Sequence, residues 1–347
     1  MLTRPGDVQD AAIVACLARE YGLPAARVTF LPLGADVNTA VYRAEADEGQ
    51  GYLVKLRRGA FDEVSVTLPR FLRDQGIAQV IPPLPTTTGR ISATLGAFQV
   101  ILYPFVEGRN GYEIPLSERQ WRELGAALRA LHSVELPAAL GRAIQQETYT
   151  PQWRDDVKAF LERVDQEAFS DPVAAETALL LQARREEILY LVGRAEALAG
   201  ELQARPPQPV LCHADVHAGN VLLTAGDNLY LIDWDTPIVA FKERDLMSIG
   251  GGLFGGWQSP EEEERLFYEG YGFPAQVDAS ALAYYRYERI IQDIAAYCAF
   301  LLLSGEGGQD REQSLRYLES NFQPGGTVEL AYRADAAASL HPARSGV

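Results

Sequence analysis

The residues best suited to chemistry lie in one stretch of the second half of the chain. His213, Asp215 and Asn220 follow the spacing HxDxxxxN, and a further acid, Asp233, comes downstream. Phosphoryl transfer requires a carboxylate beside the attacking hydroxyl and oxygen ligands for magnesium ions that bridge the phosphates. Asp215 is therefore the candidate catalytic carboxylate, and Asn220 and Asp233 are the candidate magnesium ligands.

A β-hairpin is predicted between these two ligands. Residues 221–223 and 229–232 are apolar runs typical of strands, and residues 225–228 read Ala-Gly-Asp-Asn, which is typical of a turn. The open ends of two paired antiparallel strands lie about 5 Å apart. The hairpin should therefore bring Asn220 and Asp233 to one place.

The loop that enters this hairpin carries Asp215 within reach of the same ions, where it can orient a substrate hydroxyl and finally accept its proton. His213 and His217 lie on the same loop. At such positions a histidine more often holds the loop by hydrogen bonds than takes part in chemistry. We expect a structural role for both.

Lys55 is a single lysine inside the apolar run 52–56. A cation in such a strand needs a partner, and in kinase-like folds the usual partner is the α- and β-phosphates of ATP. A lysine on an edge strand is the alternative. Glu63, an acid early in the next predicted helix, is the expected protein partner, with an ion pair exposed to solvent as the competing interpretation.

Two glycine-containing stretches bear on nucleotide binding. Residues 250–255 match GxGxxG, but they follow a helix-like segment rather than a strand, so a dinucleotide site is not expected. The chain contains no GxxxxGK[ST] sequence, which excludes a P-loop enzyme. The loop 33–38 has one glycine, and phosphate binding there is expected to use backbone amides near Gly34 and Asn38.

The elements that must position these residues form a β-rich first part and a helical second part. The strand-like runs are 28–33, 37–44, 52–56 and 98–105. From Ser117 the pattern becomes helical, beginning with a capping box completed by Gln120. A long helical tract is predicted over 173–203, and the small-residue tail after Asn321 is expected to be peripheral.

Composition limits the class of protein. The chain has 347 residues, enough for about two structural units, with 47% hydrophobic and 22% charged residues as in ordinary globular proteins. Its formal charge of −16 makes nucleic acid a poor partner and suits a cationic substrate. The first residues lack a signal peptide, and the most apolar stretch, 294–303, is too short to cross a membrane. Three widely spaced cysteines form no metal or disulfide pattern, so a cytoplasmic location is predicted.

At residues 213–220 and 232–235 the sequence resembles the aminoglycoside phosphotransferase family, which comprises bilobal kinase-like enzymes that use ATP and magnesium. The resemblance extends to the Lys55 strand, 103–105, 242–246, 267–272 and 284–288. It implies an α+β protein-kinase-like fold. Residues 1–106 would form a small β-rich nucleotide-binding lobe, and residues 107–347 would form a larger, mainly helical lobe with the catalytic loop and the substrate site.

The resemblance also implies roles for individual residues. Asp215 would be the catalytic base, Asn220 and Asp233 the magnesium ligands, and Lys55 the contact to the ATP phosphates. The hinge that touches adenine would be Tyr103, Pro104 and Phe105. Residues polar or aromatic enough to line a cationic aminocyclitol site are Trp234, Asp235, Glu269, Tyr284 and Glu288. Each of these five is equally suited to packing or to a salt bridge.

The implied reaction is transfer of the ATP γ-phosphate to a hydroxyl of an aminoglycoside or aminocyclitol antibiotic, with spectinomycin as the leading acceptor, and hence antibiotic resistance. One alternative is a housekeeping kinase for a metabolite alcohol of the choline, homoserine or methylthioribose type. The other is a pseudokinase that binds nucleotide without catalysis. The intact set of Lys55, Asp215, Asn220 and Asp233 argues against the pseudokinase.

Overall fold

The computed structural model describes residues 8–32, 38–46, 49–59, 61–205, 208–272, 277–304 and 308–340. Within these residues an antiparallel sheet occupies the first part of the chain and helices dominate the second part. The predicted α+β architecture is therefore confirmed.

The first part of the chain is built around a five-stranded antiparallel sheet with the order β1-β2-β3-β5-β4. Its elements are α1 (Asp10–Tyr21), β1 (Ala25–Leu31), β2 (Thr39–Ala46), β3 (Gly51–Arg58), α2 (Val64–Asp74), β4 (Ala93–Leu95) and β5 (Phe98–Pro104). The four predicted strands are present with slightly shifted ends. Helix α1 was not predicted, although Ile13, Cys16 and Leu17 have helical spacing and pack into the core of the sheet.

The second part of the chain contains two small three-stranded sheets and the remaining helices. Its first elements are β6 (Arg109–Asn110), α3 (Glu118–His132), α4 (Ala138–Ala143), β7 (Gln145–Gln146), α5 (Gln152–Gln166), α6 (Pro172–Ala183), α7 (Arg185–Gln203) and β8 (Val210–Cys212). They are followed by a 3-10 turn (Ala218–Asn220), β9 (Val221–Leu223), β10 (Leu229–Leu231), β11 (Ile238–Ala240), α8 (Glu243–Leu246), α9 (Pro260–Tyr271), α10 (Ala279–Leu303), α11 (Gly308–Ser320) and α12 (Thr327–Leu340). The small sheets have the orders β10-β9-β6 and β7-β11-β8.

Local sequence signals explain several helix ends. The capping box at the start of α3 is confirmed, since the Ser117 hydroxyl accepts from the Gln120 N–H while the Gln120 side chain accepts from the Ser117 N–H. The tract predicted over 173–203 is two helices rather than one. It breaks because Arg184, with φ −103° and ψ 8°, leaves the helical conformation.

Helix α10 is the centre of the helical part, where it packs against α5, α7 and α12. The apolar stretch 294–303 forms its last turns. In the described ranges no helix combines the length and the apolar character that a membrane span needs. Helix α12 lies against α10 with Val328 and Ala331 buried, so the expectation of a peripheral tail after Asn321 is wrong. A helix can bury a face made of alanines at helical spacing. Because that face has no bulky apolar side chains, the helix is difficult to recognise from the hydrophobic pattern of the sequence.

Helix α2 links the two parts of the chain. It follows the third strand of the sheet, yet Leu68 and Leu72 belong to the hydrophobic cluster that α3 forms with Leu124 and Leu128. The core of the five-stranded sheet is a separate cluster drawn from residues 8–102. The boundary between residues 106 and 107 stays a prediction.

Two glycines let α3 and α9 approach backbone to backbone. A Cβ atom built on Gly125 would overlap the Phe267 carbonyl, and one built on Gly270 would overlap the Arg122 carbonyl. Backbone cannot move aside as a flexible side chain can, so glycine is required at this crossing.

We expect the substitution Gly270→Ala to destabilise the protein by roughly 1–3 kcal/mol or more, because the added methyl group overpacks the α3–α9 contact. The matched control is Gly193→Ala in α7, where a Cβ meets no atom within 4 Å. That change should stabilise the protein by about 0.5–1 kcal/mol, since alanine is the better helix former. Urea unfolding measures both values, and equal effects of the two substitutions would contradict the close crossing.

A buried arginine and a buried glutamate lie close together between α5 and α10. Arg154 is 2% exposed and donates to the carbonyls of Tyr149, Thr150 and Ala195, while its Nη1 atom lies 3.7 Å from Glu288 Oε2. Burial raises the pKa of Glu288 to about 7, although the nearby arginine charge opposes this shift. The Glu288 carboxyl therefore holds its proton more tightly in the folded protein than in the unfolded chain.

This pKa predicts a fall in stability as the pH rises. Between the ordinary value of 4.5 and about 7, the folded state binds a proton that the unfolded chain has released, so the free energy of unfolding decreases with pH, by up to about 3 kcal/mol in all. Urea unfolding at pH 5 and pH 8 should therefore show a smaller decrease for Glu288→Gln than for wild type. The exposed Glu167→Gln, which removes a surface charge that pairs with Arg163, is the control, and parallel curves for wild type and Glu288→Gln would refute the assignment.

Candidate active site

The hairpin that was predicted to collect the metal ligands is present. Strands β9 and β10 pair antiparallel, with Leu231 opposite Val221. Beyond this pair the Ile232 N–H donates to the Asn220 carbonyl at 3.0 Å, which closes the open end of the hairpin. Asn220 and Asp233 consequently flank the same end. Asp233 has φ 64°, a left-handed conformation that turns the chain directly after the strand.

Asp215 is the centre of a network of hydrogen bonds on the preceding loop. The Asn220 Nδ2 atom donates to the Asp215 carbonyl at 2.9 Å and to its Oδ2 atom at 3.0 Å. Arg289 Nη1 donates to Asp215 Oδ1 at 2.6 Å, and His217 Nε2 lies 3.5 Å from Oδ2. Three groups, two from the loop itself and one from α10, therefore fix this carboxylate.

The charges around Asp215 keep it ionised. Burial alone would raise the pKa of the Asp215 carboxyl, but the hydrogen bond from His217 and the Arg289 guanidinium outweigh burial and hold the pKa well below its usual range. The His217 Nδ1 atom accepts from the Gly219 N–H at 3.0 Å, so the ring proton of a neutral His217 lies on Nε2, toward Asp215. His217 thus holds the loop, as expected.

A buried carboxylate fixes the start of the loop. Asp245 is fully buried and accepts from the His213 N–H at 2.9 Å and from the Ala214 N–H at 2.7 Å, while His132 Nε2 lies 3.0 Å from the same carboxylate. Burial acts to raise the pKa of Asp245, but the hydrogen bond and charge of His132 and the other donors lower it overall. Ala214 has φ 72°, a strained conformation for alanine that these bonds stabilise.

His213 holds the loop against the hairpin. Its Nε2 atom contacts the Ile232 carbonyl at 3.0 Å, and its ring packs edge-on against Trp234 with centroids 4.4 Å apart. Trp234 is 5% exposed and donates to the Leu231 carbonyl. The contacts of His213 are therefore structural. Trp234 was predicted to line the substrate site, but the structure places it in the hydrophobic core. An indole ring is equally suited to a core and to a binding site, so its residue type does not distinguish the two.

Lys55 connects the five-stranded sheet to the hairpin. Its Nζ atom lies 2.8 Å from Asp235 Oδ2 and 3.3 Å from Asp233 Oδ1, and Arg57 on the same strand pairs with Asp235 at 3.1 Å. Glu63, the predicted partner, is exposed immediately before α2. That prediction is wrong in this structure, because acids far away in sequence lie within reach of the ammonium group.

The residues of the predicted hinge lie beside the same acids. Burial, and then the charges of Asp235 and Asp233, raise the pKa of Tyr103. In the sheet Tyr103 pairs with Leu53, and Pro104 pairs with Tyr52. Phe105 donates its N–H to the Gly51 carbonyl at 3.1 Å, and the Arg43 guanidinium lies 4.4 Å from the centre of its ring. Contact of these residues with adenine stays a prediction.

The predicted phosphate loop is described only at its end. Gly34 lies outside the described residues. Asn38 is exposed, and its carbonyl accepts from the Arg58 N–H at 2.9 Å, which ties the end of the loop to β3. Its role in phosphate binding stays a prediction.

Five residues were predicted to bind substrate. Within the described residues, Asp235 is the one of these five whose carboxylate forms an ion pair with Lys55. Glu269 forms ion pairs with Arg122 and Arg265 on the surface of α3 and α9. Tyr284 is 2% exposed in the helical core, one turn before the buried Glu288. In the part of the chain that the structure describes, the hydrogen bonds and ion pairs of Glu269, Tyr284 and Glu288 do not link them to Asp215. Surface ion pairs account for Glu269, and burial in the helical core accounts for Tyr284 and Glu288.

Two residues of this site were missed from the sequence. Arg289 binds Asp215, and its Nε atom donates to Asp293 Oδ1 at 3.1 Å, one turn further along α10. A signal existed, because charged residues inside a long apolar helix need partners. The element that supplies the partner, the loop carrying Asp215, lies far away in the chain and could not be identified from the residues around Arg289.

Comparisons with known proteins agree with this geometry. The family model described as "Phosphotransferase enzyme family" matches residues 29–275. The crystal structure of spectinomycin phosphotransferase APH(9)-Ia with ADP and spectinomycin has a TM-score of 0.87 and 36% identity, over 95% of this chain and 99% of that chain. Its AMP-bound complex has a TM-score of 0.83 and 35% identity, over 94% and 98% of the two chains.

One curated relative is the protein StrN of Streptomyces griseus, which is 30% identical over 206 residues. That match covers 57% of this chain and spans 62% of the length of StrN. Because the family model covers most of the chain and includes Lys55, Asp215, Asn220 and Asp233, the protein belongs to the phosphotransferase enzyme family.

Proposed function

We propose that the protein transfers the γ-phosphate of ATP to a hydroxyl of an aminoglycoside or aminocyclitol, with spectinomycin as the leading acceptor. Two contacts support this proposal. Asn220 donates a hydrogen bond to Asp215, and Lys55 forms an ion pair with Asp233. A carboxylate, an amide, an acid and an ammonium group are thereby collected at one end of one hairpin. This set suits phosphoryl transfer.

Asp215 would orient the acceptor hydroxyl. Because its pKa lies well below neutral, it remains a carboxylate and accepts a hydrogen bond from the hydroxyl rather than removing the proton early. The proton passes to Asp215 only as the new P–O bond forms. Lys55 would contact the phosphates of ATP from the opposite sheet, where an ammonium group neutralises charge on the transferred group.

The ligand set fits magnesium. Asn220 uses its Nδ2 atom on Asp215, which leaves the amide oxygen for a cation, and Asp233 uses only its Oδ1 atom on Lys55. Mg²⁺ prefers such carboxylate and amide oxygens. Asn220 and Asp233 would hold the ion, which would neutralise charge on the phosphates.

Relatives and charge support the choice of acceptor. The solved relative at 36% identity contains ADP and spectinomycin in its complex, and the match covers 99% of that chain. The formal charge of −16 favours a cationic acceptor over an anionic one. We place the reaction in the cytoplasm, where ATP is available and where the free thiols of Cys16, Cys212 and Cys298 stay reduced.

The test is incubation of the protein with Mg-ATP and a panel of alcohols, followed by mass spectrometry of the products. The panel contains spectinomycin, other aminoglycosides, choline, homoserine and methylthioribose. For spectinomycin we expect a product that is about 80 Da heavier than the substrate, because one phosphoryl group has been added. Phosphorylation of a metabolite alcohol alone would replace the proposed acceptor class with a housekeeping substrate, and no product with any acceptor would remove the kinase proposal.

We expect Asp215→Asn to lower kcat by roughly 10² to 10⁴, because the hydroxyl loses its proton acceptor. The control is Asp227→Asn in the turn between β9 and β10, where Asp227 is half-exposed and has φ 59°, a conformation that asparagine tolerates. Steady-state kinetics and circular dichroism are measured for both. Full activity of Asp215→Asn would remove Asp215 from its catalytic role.

A further inference from the structure

Strand β3 presents a second cation to the hairpin beside Lys55. Side chains alternate between the two faces of a strand, so Lys55 and Arg57 share one face. Both contact Asp235, Lys55 at the Oδ2 atom at 2.8 Å and Arg57 at the Oδ1 atom at 3.1 Å. Val54 and Leu56 lie on the other face, fully buried in the core of the sheet. Arg57 therefore belongs to the surface that Lys55 presents to the hairpin.

The register of the sheet fixes the order of groups along β3. Leu53 pairs with Tyr103 of the predicted hinge. Arg57 lies further along the strand and pairs with Thr39, which follows the predicted phosphate loop. The distance along a strand from residue 53 to residue 57 is roughly 13 Å. A nucleotide with its adenine at the hinge would therefore reach Lys55 first and Arg57 with its terminal phosphates.

Arg57 completes the balance of charge in this group. Lys55 and Arg57 contribute one positive charge each, and Asp233 and Asp235 contribute one negative charge each. Without Arg57 these residues would carry an excess negative charge, which repels the phosphates of a nucleotide. The Arg57 side chain is 18% exposed, so a solute can reach it. A guanidinium can bind a phosphate through two parallel N–H bonds.

The predicted phosphate loop gives a second reason for a cation at this position. Residues 33–38 include one glycine. Glycine-rich loops bring several backbone N–H groups close to phosphates, because no side chain keeps the backbone away. A loop with fewer glycines offers fewer such groups. An arginine where the loop enters the sheet would supply part of the missing charge neutralisation.

We propose that Arg57 is a second phosphate-binding residue, which contacts the β- or γ-phosphate of ATP while Lys55 contacts the phosphates nearer the hinge. Arg57 would exchange its bond to Asp235 for bonds to the nucleotide. This inference rests on the proposed function, since it requires that ATP binds between the sheet and the hairpin. It deepens that function by assigning the recognition of the terminal phosphates to a side chain of β3.

The substitution Arg57→Gln tests this contact by calorimetry of the full-length protein. It is titrated with Mg²⁺ and AMP-PNP, an ATP analogue that is not hydrolysed, and separately with AMP. We expect the Kd for AMP-PNP to rise ~5- to 50-fold and the Kd for AMP to stay within about 2-fold, because AMP lacks the terminal phosphates.

The matched control is Arg58→Gln. This change removes the same charge from the next residue of β3, which lies on the opposite face with its guanidinium 4.7 Å from the centre of the Phe98 ring. The control should alter neither Kd. An equal effect of Arg58→Gln on AMP-PNP would overturn the proposal, because the loss would then reflect net charge alone.

A double-mutant cycle distinguishes a direct contact from an effect through Asp235. If Arg57 acted only by neutralising Asp235, the double variant Arg57→Gln, Asp235→Asn would bind AMP-PNP as tightly as Asp235→Asn. We expect the double variant to bind ~5-fold or more weakly, because the phosphates still lack the guanidinium. Equal affinities of these two variants would overturn the direct contact.

The titrations separate this inference from the proposed function. Unchanged AMP-PNP affinity in Arg57→Gln overturns the contact and leaves the kinase proposal intact. An equal loss of AMP affinity also overturns it, since the effect would then not depend on the terminal phosphates. Wild type that binds AMP-PNP but phosphorylates no acceptor refutes the proposed reaction, while the titrations still decide the role of Arg57. Wild type that binds no nucleotide refutes both.

A crystal structure of wild type with Mg²⁺ and AMP-PNP covers the case in which Arg57→Gln does not fold. A guanidinium nitrogen of Arg57 within about 3.5 Å of a β- or γ-phosphate oxygen supports the contact. A guanidinium beyond hydrogen-bonding distance of both phosphates overturns it.

Discussion

The position of the loop 213–220 depends on one buried carboxylate. Asp245 receives two consecutive backbone N–H groups, from His213 and Ala214, and a histidine from α3. A buried carboxylate is costly unless donors surround it, and these donors offset that cost. Because the two N–H groups directly precede Asp215, the helical part of the chain sets the direction in which the Asp215 side chain leaves the backbone. The positive φ of Ala214 is the local strain that accompanies this arrangement.

The acids and the cations of the site come from different elements. The hairpin and its loop supply Asp215 and Asp233, whereas β3 supplies Lys55 and α10 supplies Arg289. Each anion is therefore paired only when the sheet, the hairpin and α10 have packed together. Asp293 continues this alternation of charge along α10. The electrostatic environment of the site is thus a property of tertiary packing, and no single segment contains it.

The parts of the site that depend on local pairing were predictable, and those that depend on distant packing were not. The hairpin follows from two apolar runs and a turn, so Asn220 and Asp233 could be placed together from the sequence. The partners of Lys55 could not be predicted, since Asp233 and Asp235 lie 178 and 180 residues further along the chain. Tyr284 looked suitable for a binding site because aromatic rings serve cores and pockets equally. The residues around Arg289 did not indicate which turn of α10 faces the loop.

In the proposed function, the pairing of Lys55 with Asp233 and Asp235 has a consequence for nucleotide affinity. A lysine side chain loses up to about 2 kcal/mol of rotamer freedom when it is ordered. Here the acids restrain the side chain in the folded protein, with 17% of its surface exposed. The entropy of Lys55 is therefore largely lost during folding and not when a nucleotide arrives. Phosphate groups would exchange partners with an ammonium already in position, which favours fast capture over a large gain in electrostatic energy.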